Sequence, residues 1–113
     1  MPVQFTSTAG SRQTFYSTPA DTNAATIYSC QVGAGGTATV EALHVATTGA
    51  ANITAWINDG TDHLVLDAVV QAADIAITYD FGNPVMRDGY LFKVKTSNAD
   101  DASFMLTVAE EFR

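Results

Sequence analysis

The sequence predicts an all-β protein, an antiparallel and jelly-roll-like β-sandwich of about seven to nine short strands. Three observations lead to this fold class. Apolar and polar side chains alternate along many short segments, turn signals recur roughly every 8–12 residues, and no segment has the spacing of an amphipathic helix. The chain has 113 residues, of which 47% are hydrophobic, so we expect one domain with a sizeable core.

The clearest local signal is a β-hairpin in residues 51–66. Side chains in residues 51–57 (ANITAWI) alternate with a period of two, which places one set on each face of a strand. Asp59-Gly60 then tolerates the positive φ that a tight turn requires. Residues 63–66 (HLVL) are predicted to return as the second strand.

The other strands are predicted from the same alternation, over residues 25–32, 37–47, 75–79, 90–95 and 103–108. Within the longest of them the apolar side chains change parity near Glu41-Ala42, which predicts a β-bulge. Phe92 and Val94 are expected to face the core. Residues 67–74 (DAVVQAAD) are predicted to form a loop or a turn of helix, because their composition permits helix but the segment is short.

The N-terminal segment, residues 1–24, differs from the rest because it is rich in Thr, Ser, Ala and Gln and poor in large aliphatic residues. Phe5, Phe15 and Tyr16 are spaced along it. Two interpretations remain open: edge strands packed on the domain, or an N-terminal arm that orders against a neighbouring subunit through its aromatic anchors. Residues 25–113 are predicted to be the β-sandwich domain.

Charge and hydropathy exclude several classes of partner. The net charge is −7, with 5 Lys and Arg against 12 Asp and Glu. Phosphate neutralisation requires clustered basic residues, so we expect no nucleic-acid partner. No apolar run approaches about 20 residues, so we expect no membrane-spanning helix. No basic segment followed by an apolar stretch opens the chain, so no secretory signal is predicted.

No constellation of chemically active residues is evident, and we predict no catalytic residue, no cofactor and no metal site. His44 and His63 have no third ligand at zinc spacing. The hairpin tip at residues 58–63 lacks the oxygen ligands that calcium requires. The single cysteine, Cys30, is expected to be a buried small hydrophobe. An enzyme that uses a Cys30–His44 pair remains a third hypothesis, since catalytic partners meet in space rather than in sequence.

Two further residues are candidates for a subunit interface. Trp56 is predicted to lie on the sheet face opposite Ile53 and Ile57, where the arm or another subunit could cover it. His44, beside apolar neighbours, is expected to face solvent or a partner subunit. Stacking of a sugar on an exposed Trp56 is the alternative, and it would make the protein a glycan-binding module.

Three segments carry a resemblance to a known group of proteins: residues 40–46 (VEALHVA), 56–61 (WINDGT) and 89–97 (GYLFKVKTS). Together they resemble small β-sandwich virion proteins of tailed bacteriophages, namely head decoration (cement) proteins and related tail or spike modules. The resemblance spans residues 37–112 and transfers no catalytic residue.

The resemblance implies a non-enzymatic structural protein on the outside of the capsid. Such cement proteins typically sit as homotrimers over capsid axes and bind the major capsid protein. They stabilise the assembled shell by mass action, since they bind it in preference to its open form. The alternative is a tail or head-fibre module that recognises the host, with a glycan as one candidate receptor.

Overall fold

The computed structural model describes residues 11–112, which form nine β-strands and no helix. The strands are β1 (Ser11–Ser17), β2 (Ala25–Ser29), β3 (Thr37–Thr47), β4 (Ala51–Asn58), β5 (Asp62–Gln71), β6 (Ile75–Tyr79), β7 (Val85–Met86), β8 (Leu91–Thr96) and β9 (Ala102–Glu111).

The strands form two antiparallel sheets. Sheet A has the order β1-β9-β3-β6, with β7 pairing β3 beyond the end of β6, and sheet B has the order β2-β8-β4-β5. Without the short β7, each sheet takes four strands in the interleaved order of two Greek keys, which defines a jelly roll. The predicted all-β, jelly-roll-like sandwich is therefore confirmed.

The core lies between the sheets because each strand turns every second side chain inward. The predicted bulge in β3 is confirmed by a shift of pairing with β9 between Val40 and Ala42. It allows both Val40 and Leu43 to point inward. The large apolar side chains with at most 1% exposure include Val40, Leu43, Val45, Ile53, Phe92, Val94, Phe104, Leu106 and Val108.

The predicted central hairpin is confirmed as β4 and β5. Gly60 has φ +109° at its tip, a conformation that L side chains rarely adopt. The backbone N–H of Gly60 donates to Asn58 Oδ1 at 3.0 Å, and that of Thr61 donates to Asp59 Oδ1 at 3.1 Å. These side-chain acceptors explain why Asn and Asp precede the turn.

The prediction of a loop or helical turn at residues 67–74 is wrong for residues 67–71, because β5 continues to Gln71, and it is confirmed for residues 72–74, which form the turn to β6. The strand contains a bulge opposite Thr54, where Ala68 has φ +48° and its backbone N–H donates to Thr54 Oγ1 at 3.2 Å. Beyond the bulge, β5 pairs with β4 again, so that Gln71 lies opposite Ala51. Gln71 is thereby carried into the interior with 0% exposure.

Residues 11–17 of the N-terminal segment form β1, an edge strand of sheet A that pairs with β9. This part of the segment thus takes the edge-strand alternative. Phe15 lies opposite Leu106, and its ring centroid is 4.6 Å from that of Tyr28. The predicted boundary between residues 24 and 25 stays a prediction, as does an arm formed by the residues that precede Ser11.

Two buried polar bridges connect the sheets near their opposite edges. The Tyr28 hydroxyl on β2 donates to Glu110 Oε2 on β9 at 2.6 Å. On the other side, Gln71 Nε2 on β5 donates to the backbone oxygen of Val45 on β3 at 2.8 Å, and the Tyr79 hydroxyl donates to Gln71 Oε1 at 3.0 Å. Both bridges satisfy polar groups that would otherwise be costly to bury.

We expect Tyr28 to make the protein sensitive to alkaline pH. Burial, followed by the hydrogen bond to Glu110, raises the pKa of the Tyr28 hydroxyl far above its usual value of 10. Above about pH 10 only the unfolded chain loses this proton, so the free energy of unfolding should fall by about 1.4 kcal/mol per pH unit. Urea titrations at pH 8 to 11 should show this decline in the wild type and a shallower one in Tyr28→Phe.

Tyr16→Phe is the control for the Tyr28 prediction, because it removes one hydroxyl at the exposed surface. Its pH profile should follow the wild type. Coincident profiles for the wild type and Tyr28→Phe between pH 10 and 11 would contradict the role given to Tyr28.

Candidate functional site

The outer face of sheet A, which points away from sheet B, carries a row of four side chains. Pairing of β1, β9, β3 and β6 places Tyr16 opposite Met105, Met105 opposite His44, and His44 opposite Thr78. Tyr16 is 68% exposed and Met105 is 37% exposed. His44 Nδ1 lies 2.9 Å from Thr78 Oγ1. We call these four residues the central row.

Two flanking rows of small, uncharged side chains lie on either side of the central row. One consists of Thr14, Thr107 and Ala42, and the other of Ser103, Ala46 and Ala76. We call the three rows together the neutral face. Short side chains around an exposed tyrosine and methionine leave an open surface that another β-sheet could approach closely.

The charges that border the neutral face on β1 and β3 neutralise each other. Arg12 Nε lies 2.6 Å from Glu41 Oε1, and Arg12 Nη2 donates to Glu41 Oε2 at 3.0 Å. The hydrogen bond from Arg12 lowers the pKa of the Glu41 carboxyl, and Glu41 in turn raises the pKa of Arg12. Glu111, at the end of β9, lies four residues beyond Thr107 and is therefore outside the three rows.

The outer face of sheet B has a different character. Lys93 and Lys95 project from it on β8, and neither takes part in an ion pair of residues 11–112. Trp56 lies between Lys93 and Leu64 in the register of the sheet. This confirms that Trp56 is on the face opposite Ile53.

Trp56 is nevertheless only 9% exposed within the single chain. Its Nε1 is the one buried side-chain nitrogen or oxygen of the described residues that lacks a hydrogen-bond partner. An unsatisfied buried donor costs about 1–3 kcal/mol. With so little of the indole exposed, the ring does not offer the open platform that sugar stacking needs.

The structure brings together two of the five residues that the sequence singled out for an interface. Tyr16 and His44 flank Met105 on the neutral face. Phe15 instead packs inward, and Trp56 belongs to the other sheet. Phe5 lies outside the described residues. A role at an interface stays a prediction for all five.

Met105 is the central residue that the sequence did not single out. Alternation along β9 predicts its position on the outward face, but many outward residues have no partner. An exposed methionine in the middle of a central strand was the available signal, since methionine is enriched in interfaces.

Cys30 is fully buried, in agreement with the prediction of a small core residue. Burial raises the pKa of its thiol, which disfavours the reactive thiolate. Cys30 packs in the core, whereas His44 projects from the outer face of sheet A. The structure therefore does not bring this pair together, and the absence of enzymatic activity stays a prediction.

The hairpin tip contains the densest polar cluster of the sequence. His63 Nε2 lies 3.0 Å from Asp59 Oδ1, and the Thr61 backbone N–H is the first cause of the lowered pKa of Asp59. Among residues 11–112, no three His, Cys, Asp or Glu side chains gather as metal ligands. The same part of the chain has no helix that could cross a membrane.

The fold defines a class, the small jelly-roll β-sandwich proteins, and chains of two solved structures have a similar fold. No protein-family model and no curated protein sequence matches the chain. A chain of the Bacillus endospore appendages, described as a family of disulfide-linked pili, is 16% identical with a TM-score of 0.53, and the match covers 93% of this chain and 88% of that one.

A chain of the capsid asymmetric unit of cyanophage Pam1 is also similar. It is 13% identical with a TM-score of 0.50, and the match covers 100% of this chain and 91% of that one. The coverage shows that both matched chains are similar in length to this protein. At these identities the similarity establishes the fold.

Proposed function

We propose that the protein is a non-enzymatic structural protein of a bacteriophage virion, which decorates the outside of the assembled capsid and stabilises it. The observation that carries this proposal is the match along the whole chain to a similarly sized chain of a cyanophage capsid asymmetric unit. Its partner would be the major capsid protein. Copies of the chain would also associate with one another, and the sequence resemblance implies that they form a homotrimer.

The chemistry of the described residues is compatible with a binding role. The thiol of Cys30 is buried, and the neutral face presents an exposed surface without Asp, Glu, Lys or Arg side chains. A decoration protein needs no chemical step, because it acts by mass action. If it binds the assembled shell and not the open one, it stabilises the shell by RT ln(1 + [L]/Kd), about 2.7 kcal/mol per site at a hundredfold excess over Kd.

A second candidate is a subunit of a tail or head fibre. The match to a chain of Bacillus endospore appendages supports it, since a chain of similar size and fold occurs there in a pilus. The described residues supply only the buried Cys30 for a disulfide, so a fibre of this chain would be held through non-covalent contacts. Host recognition through a glycan would have to use a group other than the covered ring of Trp56.

Binding to purified capsids tests the proposed function. We expect the protein to saturate expanded capsids at a fixed number of copies and to raise the temperature at which they release DNA. Unassembled capsid protein is the matched control and should bind weakly. Absence of binding to expanded capsids, together with cryo-EM density for the protein on the tail or on fibres, would favour the second candidate.

A truncation tests the contribution of the N-terminal segment. The deletion should stop at residue 10, because removal of residues 1–24 would also remove β1 and expose the core beside Phe15. If the arm contacts the shell, loss of residues 1–10 should lower capsid affinity at least tenfold, which corresponds to about 1.4 kcal/mol. Undiminished occupancy would remove the arm from the mechanism.

A further inference from the structure

We propose that a second copy of this chain covers the neutral face of sheet A. This inference rests on the self-association included in the proposed function, and it assigns that association to a surface. The centre of the surface is the pair Tyr16 and Met105, which are directly opposite on β1 and β9 and remain 68% and 37% exposed in the single chain. Tyrosine and methionine are enriched in protein interfaces.

Charge selects this face for contact between copies. Each copy has a net charge of −7, so two copies repel each other, and a contact surface without unpaired charge adds no further local repulsion. The three rows of the neutral face carry no Asp, Glu, Lys or Arg side chain. The Arg12–Glu41 pair beside them is internally neutralised.

The outer face of sheet B is less suitable for the same contact. Lys93 and Lys95 have no ion-pair partner among residues 11–112, and burial of an unpaired ammonium group against another protein is costly. The exposed surface of sheet B also includes Val70, at 75% exposure. Val70 therefore provides an apolar reference position outside the proposed interface.

The available area fits a weak contact that forms and dissociates readily. Four strands about 4.8 Å apart, over the seven residues of β1 at about 3.3 Å each, give roughly 450 Å² of projected area per copy. Two copies would then bury about 900 Å², which is below the roughly 1,200–2,000 Å² of stable interfaces and within the range of weak, transient ones. We expect a dissociation constant of about 1–100 µM.

The hydrogen-bonding groups of the face also suit a second copy. Its hydroxyl groups both donate and accept, so equivalent surfaces can satisfy each other. A two-fold pair would place the face against itself, whereas a ring would place it against a different surface of the neighbouring copy. In both arrangements Tyr16 and Met105 become buried.

Sedimentation equilibrium of the isolated protein tests the proposal. We expect the wild type to associate at about 100 µM and to dissociate on dilution. Tyr16→Lys and, independently, Met105→Lys should raise the dissociation constant at least tenfold, because each places an unpaired ammonium group in the contact. Val70→Lys is the matched control, since it adds the same charge on the other sheet, and it should stay within about twofold of wild type.

Several outcomes would overturn the assignment: a wild type that stays monomeric at this concentration, association that persists unchanged in both lysine variants at Tyr16 and Met105, or equal loss in Val70→Lys. Unchanged urea midpoints for the exposed substitutions, measured at a protein concentration at which the wild type is monomeric, would show that the variants fold. Capsid occupancy, measured with the same proteins, separates the two proposals. Normal self-association without capsid binding would count against the proposed function and leave the neutral face as a contact between copies.

Discussion

Replacement of Phe92 with alanine is expected to lower the free energy of unfolding by about 3–5 kcal/mol. Phe92 has 0% exposure and lies in β8, a central strand of sheet B that pairs with both β2 and β4. Its ring centroid is 6.3 Å from that of Phe81. Truncation removes apolar contacts and leaves a cavity that strands held on both sides cannot easily close. Urea denaturation at pH 7 measures the change.

Lys95→Ala is the control for the Phe92 prediction. Lys95 is in the same strand but exposed and without an ion-pair partner among residues 11–112, so its loss should change stability by less than about 0.5 kcal/mol. A loss below about 1 kcal/mol for Phe92→Ala would mean that the space between the sheets is not packed as described.

The second large effect is expected at Gln71. Gln71→Met keeps most of the side-chain volume but removes the donor to the Val45 carbonyl and the acceptor for the Tyr79 hydroxyl. Loss of a hydrogen-bond partner by a buried or partly buried polar group costs about 1–3 kcal/mol. We therefore expect Gln71→Met to lower the free energy of unfolding by about 2–3 kcal/mol, measured by the same urea titration.

A double-mutant cycle with Tyr79→Phe distinguishes lost hydrogen bonds from altered packing. In the Gln71→Met background the Tyr79 hydroxyl has already lost its acceptor, so its removal should cost little or restore some stability. The coupling between the two substitutions should reach about 0.5–2 kcal/mol. Additive effects would show that the Gln71–Tyr79 hydrogen bond does not contribute in the folded protein.

The local elements of the fold were predictable because their signals are local. The predicted bounds of β3, residues 37–47, match the strand, and the parity change at Glu41 located its bulge. Asp59-Gly60 located the hairpin turn. A period of two in the side chains and a turn that needs positive φ depend only on neighbouring residues.

The path of β5 was not predictable for the opposite reason. Residues 67–74 have a composition that permits helix, and Ala68 in a left-handed conformation is unfavourable for an L residue. Two interactions outweigh that local cost. The segment pairs with β4, and the buried Gln71 side chain forms hydrogen bonds in the interior. These partners are supplied by other strands, so the segment itself carries no sign of them.

The candidate surface could likewise be predicted only in part from the sequence. The sequence singled out Tyr16 as an aromatic anchor of the N-terminal segment and His44 as a residue that faces solvent or a partner subunit. Their alignment through Met105 depends on the registers of β1 with β9 and of β9 with β3, and a shift of one residue in either would move the row to the other side of the sheet. Trp56, also outward-facing, is already covered within the single chain, whereas the sequence left open whether the arm, another subunit or a sugar would contact it.

What the sequence by itself determined is the all-β class, the positions of most strands and the inward side chains, because period-two alternation and turn chemistry act over a few neighbouring residues. Only the tertiary structure decided the jelly-roll order of the strands, the bulged extension of β5 and the uncharged rows on sheet A. These depend on pairing between segments far apart in the chain, for which the free energy comes from packing and hydrogen bonds that no single segment contains.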